Sequence, residues 1–212
     1  MIAVFRNIDK VIASSQTVLK DDVTSTVIRV VINNQPMVIK RLNTKNPVHF
    51  FRRLFQKSRA QRNWHNTQYL KQAGIQTFEP IAILEERFGP LKRRSYFICS
   101  YIQGIKALEF FTQPDLSVES SEKVAISITD LFQSLSKCWI SHRDLNLSNI
   151  LLVGDQPWLI DLDSMQCHRW HFLATRSAKR ELKRFIRNCQ ETPEVSKKII
   201  SLFQSLFIKC NM

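Results

Sequence analysis

The hydrophobic periodicity of this chain shifts from mainly strand-like to mainly helical at Gln103-Gly104, and that shift limits the fold more than any other feature. Ahead of it the apolar residues fall in short β-branched runs. Val27 to Ile32 and Met37 to Leu42 flank the turn-forming cluster Asn33-Asn34-Gln35-Pro36 and read as a hairpin; Phe78 to Leu84 and Ser95 to Ile102 read as further strands. Between them a helical stretch opens at Asn46-Pro47 and runs to about Ala73, with Phe51, Leu54 and Phe55 at helical spacing and Gly74 as its C-cap. Beyond Gly104 the spacing becomes helical, first over Ala107 to Thr112, then from Val118 to Cys138 with Val124, Ile128, Leu131, Phe132 and Leu135 on one face. Two brief strands follow, Ile150 to Val153 and Trp158 to Leu162, joined at Gly154-Asp155. From about Arg169 the chain is helical again, broken near Thr192-Pro193, where Thr192 is placed to cap a last helix. The sum is an α+β, two-lobed chain, with a small antiparallel β-rich lobe at residues 1–103 and a mainly helical one at 104–212.

Chemistry concentrates in His142-Arg143-Asp144-Leu145-Asn146-Leu147-Ser148-Asn149, and in Leu159-Ile160-Asp161-Leu162-Asp163 one strand-turn-strand later. Phosphoryl transfer from ATP needs a carboxylate near the acceptor hydroxyl and oxygen ligands that hold Mg²⁺ on the phosphates, because catalysis there is mostly positioning and charge neutralisation. The spacing supplies these parts. Asp144 can accept or orient the acceptor proton, Asn149 can turn its amide oxygen to a metal, and Asp161 can meet the same metal from the facing side. Upstream, Val38-Ile39-Lys40 ends a hairpin strand in a cation suited to phosphate.

His142 to Asn149 matches the protein-kinase catalytic-loop pattern H-R-D-L-x-x-x-N residue for residue. Taken with the strand lysine, the basic helix ending in Leu70-x-x-x-Gly74-Ile75-x-Thr77, and a D-x-D ending where protein kinases carry D-F-G, the chain resembles the lipopolysaccharide kinases. These Kdo/heptose kinases are small protein-kinase-like enzymes that phosphorylate inner-core sugars. The resemblance spans about Lys20 to Arg187. It implies that Lys40 binds ATP phosphates, Asp144 is the catalytic base, Asn149 and Asp161 hold Mg²⁺ (or Mn²⁺), and Asp163 adds a further carboxylate. The backbone of Tyr101, Ile102 and Gly104 would meet adenine.

Two departures from the kinase pattern stand out. There is no glycine-rich loop: Leu19 to Val27 offers Asp21, Asp22, Thr24, Ser25 and Thr26, so that hydroxyls such as those of Ser25 and Thr26, with backbone amides, would cover the phosphates. The helix that should supply a glutamate to Lys40 has none, and Asn63 falls near that position; Glu79 is the nearest downstream carboxylate, on an expected strand.

Charge narrows the partners. The chain has 31 Lys and Arg against 18 Asp and Glu, a net charge of +13, with no carboxylate from Val23 to Phe78, so an anionic partner or a merely solvated basic face both follow. A carboxylated, phosphorylated glycolipid acceptor at the cytoplasmic face of an inner membrane suits the resemblance, with peripheral contact to anionic lipid through the apolar and lysine-flanked last helix, Val195 to Ile208; a helix closing the core is the competing reading, and Trp170 and Phe172 belong to the same question. Nucleic acid ranks last, because nothing shows the aromatic interleaving typical of single-strand platforms. Five scattered cysteines without a C-x-x-C give no disulfide framework, and Cys167, His168 and His171 lack a fourth ligand at zinc spacing. No stretch approaches the roughly 20 apolar residues of a membrane span, and the first fifteen residues are too interrupted for a signal peptide. Rival readings are a Ser/Thr protein kinase of the same fold and a pseudokinase-like binding module.

Overall fold

The computed structural model describes residues 8–13, 17–43, 57–88 and 91–209. By their contacts these divide into two compact units, one built from residues 1–67 and 78–101, the other from 68–77 and 102–212.

In the first unit, among the described residues, β1 (Val18–Asp22), β2 (Ser25–Ile32), β3 (Gln35–Leu42), β4 (Pro80–Phe88) and β5 (Leu91–Ser100) form an antiparallel sheet in the order β1-β2-β3-β5-β4. The β2–β3 hairpin closes on only Asn33 and Asn34, at φ 52° and 61°. Positive φ at both central residues is the geometry whose twist matches paired strands, and asparagine tolerates it better than most residues. Alternation then sorts the side chains. Ile28, Ile32, Met37, Ile39, Tyr96 and Ile98 share one face, which α1 (Ile8–Ala13) covers with Ile8 and Ile12. Lys40 stands on the other face, opposite Val27 and Phe97 in register.

The helix α2 (Arg59–Gln72) starts later than the periodicity suggests. Residues 44–56, with Phe51, Leu54 and Phe55, lie outside the described residues, but Lys57 and Ser58 are not helical. Ser58 Oγ accepts from Gln61 N–H and Gln61 Oε1 from Ser58 N–H, each at 3.1 Å, a capping box that begins a new helix there. Gly74 ends it at φ 70°, with Ile75 N–H donating to Leu70 C=O and Gly74 N–H to Lys71 C=O, the bond pair of a Schellman cap.

In the second unit, β6 (Ile105–Lys106) pairs with β8 (Ile150–Val153), which pairs with β9 (Gln156–Leu159), and β7 (Ile140–Ser141) pairs with β10 (Gln166–Cys167). Around them pack α3 (Ala107–Phe111), α4 (Val118–Lys137), α5 (His171–Glu191) and α6 (Lys197–Lys209). The α4 stripe from Val124 to Leu135 is buried as its spacing predicts. Phe132 and Phe185 meet edge to face at 5.0 Å, Phe185 and Phe203 at 5.1 Å, and Phe132 and Phe207 at 5.1 Å, a geometry favoured by the ring quadrupole. The apolar stripe of α6 therefore closes this core rather than a surface. Thr192 does not cap α6; its hydroxyl donates back to Asn188 C=O within α5, and Ser196 Oγ takes the Ile199 N–H instead. Among the described residues no helix is long and apolar enough to cross a membrane.

Candidate active site

The loop from His142 to Asn149 is held from three directions, all within the second unit. Asn146 Oδ1 accepts from the N–H groups of Ser148 and Asn149 and so caps a single 3₁₀ turn, Leu147–Asn149. Leu145 and Leu147 are buried, which anchors the loop between its polar positions. Asn149 Nδ2 donates to the Asp144 carbonyl at 2.8 Å and reaches its Oδ2 at 3.3 Å, so the two side chains lie together. An amide that donates from one side presents its oxygen on the other.

Ile160 ties this loop to Asp161. Its N–H donates to Asn149 C=O at 3.1 Å, and its C=O lies 2.9 Å from His142 Nε2. A carbonyl can only accept, so Nε2 carries the proton and His142 is a structural post rather than a base. Burial lowers the His142 pKa, the Ile160 bond and the nearby carboxylates of Asp161, Asp144 and Asp163 oppose that shift, and Nδ1 is buried with no partner among the described residues. β9 ends at Leu159, three residues short of the expected strand, and Asp161 turns in the left-handed region at φ 61°, ψ 59° into the 3₁₀ turn Leu162–Ser164. Asp163 is buried inside that turn. β9 is itself fixed from the motif after α2: Thr77 Oγ1 donates to Leu159 C=O at 2.8 Å, and Leu159 N–H donates to Gln76 C=O at 3.0 Å.

Sequence reasoning passed over Glu181. This carboxylate, on the inner face of α5 and 5% exposed, accepts from the backbone N–H of His142 at 3.3 Å and from that of Arg143. Arg184, one turn on, donates to the Arg143 carbonyl. Arg143 sits at φ 69°, a left-handed conformation that a side chain other than glycine adopts at a cost of order 1–3 kcal/mol. Three bonds from one helix, to the N–H groups of His142 and Arg143 and to the Arg143 carbonyl, hold it there. Burial raises the Glu181 pKa, while the two N–H groups and the Arg184 and Arg143 cations pull it back.

The remaining predicted residues lie apart from this loop in the chain. Lys40 is half-buried on β3, near enough to the buried Cys99 thiol to moderate a shift that burial drives up to about 12. Asn63 does not reach out as a glutamate substitute; its Nδ2 donates to Arg59 C=O in its own helix. Glu79 precedes β4 rather than lying on it, and its N–H donates to Ser100 Oγ. At the β1–β2 turn, Asp22 Oδ1 accepts from Thr24 N–H and Oγ1, both at 2.7 Å, and from Ser25 N–H at 2.8 Å, so the amides a phosphate loop would offer already hold a carboxylate. The Asp22 pKa is held well below the carboxylate range by these bonds. Ser25 is buried on the Lys40 face; Thr26 faces the other way, its hydroxyl donating to Asp21 and accepting from Arg41, which leaves only its backbone for a ligand. The chain passes between units at Tyr101–Ile102, where Tyr101 N–H donates to Pro36 C=O and Arg29 stacks 4.4 Å over the Tyr101 ring. Gly104 is required where it stands, since a Cβ there would meet the Leu152 carbonyl oxygen at 2.5 Å.

The sequence model of the Kdo/WaaP lipopolysaccharide kinases matches residues 37–205, a span that includes Lys40, the whole polar loop, Asp161, Asp163 and Glu181. The chain belongs to this family. It is a kinase of the lipopolysaccharide core, and membership implies ATP as the phosphoryl donor. Among solved structures, one described as WaaP in complex with acyl carrier protein superposes on the kinase with a TM-score of 0.64 at 14% identity, covering 96% of this chain and 83% of that one. At that identity the likeness is one of fold, and the fold is the α+β, kinase-like one expected from the sequence. No curated protein matches the kinase significantly.

The donor set fits a divalent ion of the magnesium type. Among the described residues no three His, Cys, Asp or Glu side chains gather into a ready-made metal cage. An amide oxygen and carboxylates around one loop are instead what suits a hard ion that brings waters and phosphate oxygens of its own.

Proposed function

We infer that the kinase transfers the γ-phosphoryl group of ATP to a hydroxyl of an inner-core sugar such as Kdo or heptose, at the cytoplasmic face of the inner membrane, with Mg²⁺ or Mn²⁺. What supports this is the double tie through Ile160, which sets Asp161 beside the loop on which Asp144 and Asn149 already touch. Asp144 is exposed, as a group that meets an incoming hydroxyl must be, and takes the acceptor proton. Asn149 and Asp161 hold the ion, with Asp163 supporting the turn; the ion, when bound, neutralises charge on the phosphates. Lys40 contacts those phosphates, Ser25 and the backbone near Thr26 cover them, and the backbone of Tyr101, Ile102 and Gly104 receives adenine. The residues are assigned by the family pattern, each at the position described above.

Incubation with ATP, Mg²⁺ and a Kdo-bearing lipid, a heptose-bearing lipid or a generic protein tests the assignment by mass spectrometry of the products. Phosphate on a sugar hydroxyl is expected. Phosphate on the protein acceptor alone would move the activity to protein phosphorylation, and none on any acceptor would leave a binding module.

A further inference from the structure

The outward face of α5 combines exposed aromatic and cationic side chains. Ala174, Glu181 and Phe185 point inward at spacings of seven and four residues. Offset by two positions, or about 200° around a helix, Phe172, Lys179 and Lys183 repeat that spacing on the opposite side with Arg176 between them, all four exposed. Trp170 immediately precedes the helix, 58% exposed, and Phe172 is 67% exposed, so two aromatic side chains stand in solvent where one row of cations begins. From Ser164 to Gln190 the sole carboxylate is Glu181, and it is buried on the inner face, so nothing acidic in this stretch offsets the row.

We propose that this face is the docking surface for an anionic phospholipid bilayer, with Trp170 and Phe172 entering the interface and Arg176, Lys179 and Lys183 lying against the headgroups. The pattern is that of an interfacial helix: an aromatic end, a cationic face and low net hydrophobicity. Charge complementarity selects an anionic surface, and the two exposed aromatic rings select one with an apolar layer beneath it rather than an acidic protein. The proposal rests on the reading of a lipid-borne acceptor, and it places the contact on α5 in place of the last helix. It also has a structural consequence. The inner face of the same helix holds His142 and Arg143 through Glu181 and Arg184, so docking would fix the catalytic loop with respect to the lipid surface.

Co-sedimentation of the full chain with vesicles of phosphatidylcholine alone, or mixed with phosphatidylglycerol, tests this at low and high salt. Each cation near such a surface is worth about fivefold in binding. Preferential binding to the mixed vesicles, weakened by salt, is expected. Arg176→Glu with Lys183→Glu, and separately Trp170→Ala with Phe172→Ala, should each reduce binding about tenfold or more, with thermal melts confirming that both variants fold. Equal binding by the original chain and both variants, or no preference for anionic vesicles, would overturn the proposal. Saturable binding to an acidic protein without vesicle binding would overturn it too. Phosphoryl transfer to a detergent-solubilised acceptor is measured in parallel: full transfer by a chain that ignores vesicles sinks the docking surface alone, and vesicle binding without transfer sinks the assigned activity alone.

Discussion

The Asp144→Asn variant should lose phosphoryl transfer by a factor of about 10² to 10⁴, the range that a positioned general base contributes. The size of the loss follows from what the substitution spares. Asp144 is exposed, and the bond that orders the loop runs from Asn149 Nδ2 to its backbone carbonyl at 2.8 Å, which an asparagine retains. Asn146 still caps the 3₁₀ turn, Leu145 stays buried, and Ile160 still bridges to His142. Thermal stability should therefore stay within about 0.5 kcal/mol, as for an exposed surface change, and ATP binding should be little altered. Steady-state kinetics with a core-sugar acceptor, beside a thermal melt, separates the two quantities. A variant that keeps more than a tenth of the activity would remove Asp144 from the role of base.

Glu181→Ala should have the second large effect, for a different reason. Alanine leaves the N–H groups of His142 and Arg143 without an acceptor in a buried place, at about 1–3 kcal/mol each, and strands Arg184 beside them. It also releases Arg143, the left-handed residue at φ 69° that directly precedes Asp144. Turnover should fall at least about tenfold, the scale on which misplacement of reacting groups acts, while the KM for ATP changes little. Glu181→Gln supplies the control: its amide oxygen can still accept one N–H in nearly the same volume, so turnover and stability should both recover in part. If alanine lowers the melting temperature but leaves turnover of the folded protein intact, Glu181 is a packing element and positions nothing.

The contrast between these two residues shows what the sequence made legible. Asp144 belongs to a run of fixed residues whose chemistry depends on local spacing, and the same is true of Asn149, Asp161 and the Asn33-Asn34 turn. Gly74 was visible because only a left-handed C-cap asks for glycine after such a helix. Glu181 lies 38 residues from the Arg143 amide it holds and sits among lysines and arginines, so its sequence context is that of a surface charge. The start of α2 was hidden by apolar spacing that continues upstream of Ser58, although Ser58 and Gln61 carry the capping signal. Thr192 and Ser196 are both capping types flanking Pro193, and tertiary packing decides between them. Thr26 could not be separated from Ser25 without the strand register, which turns one hydroxyl toward Arg41 and Asp21 and leaves the other on the face of Lys40.

Electron paramagnetic resonance of Mn²⁺ titrated into the kinase with ATP tests the central claim most directly, since it reads the ion itself at the oxygen ligands of the loop. The account predicts nucleotide-dependent binding of about one ion, weakened at least tenfold by Asp161→Asn and less by Asn149→Ala, with the fold of both variants unchanged by circular dichroism. Manganese bound equally well by all three proteins, or bound by none of them in the presence of ATP, would contradict it.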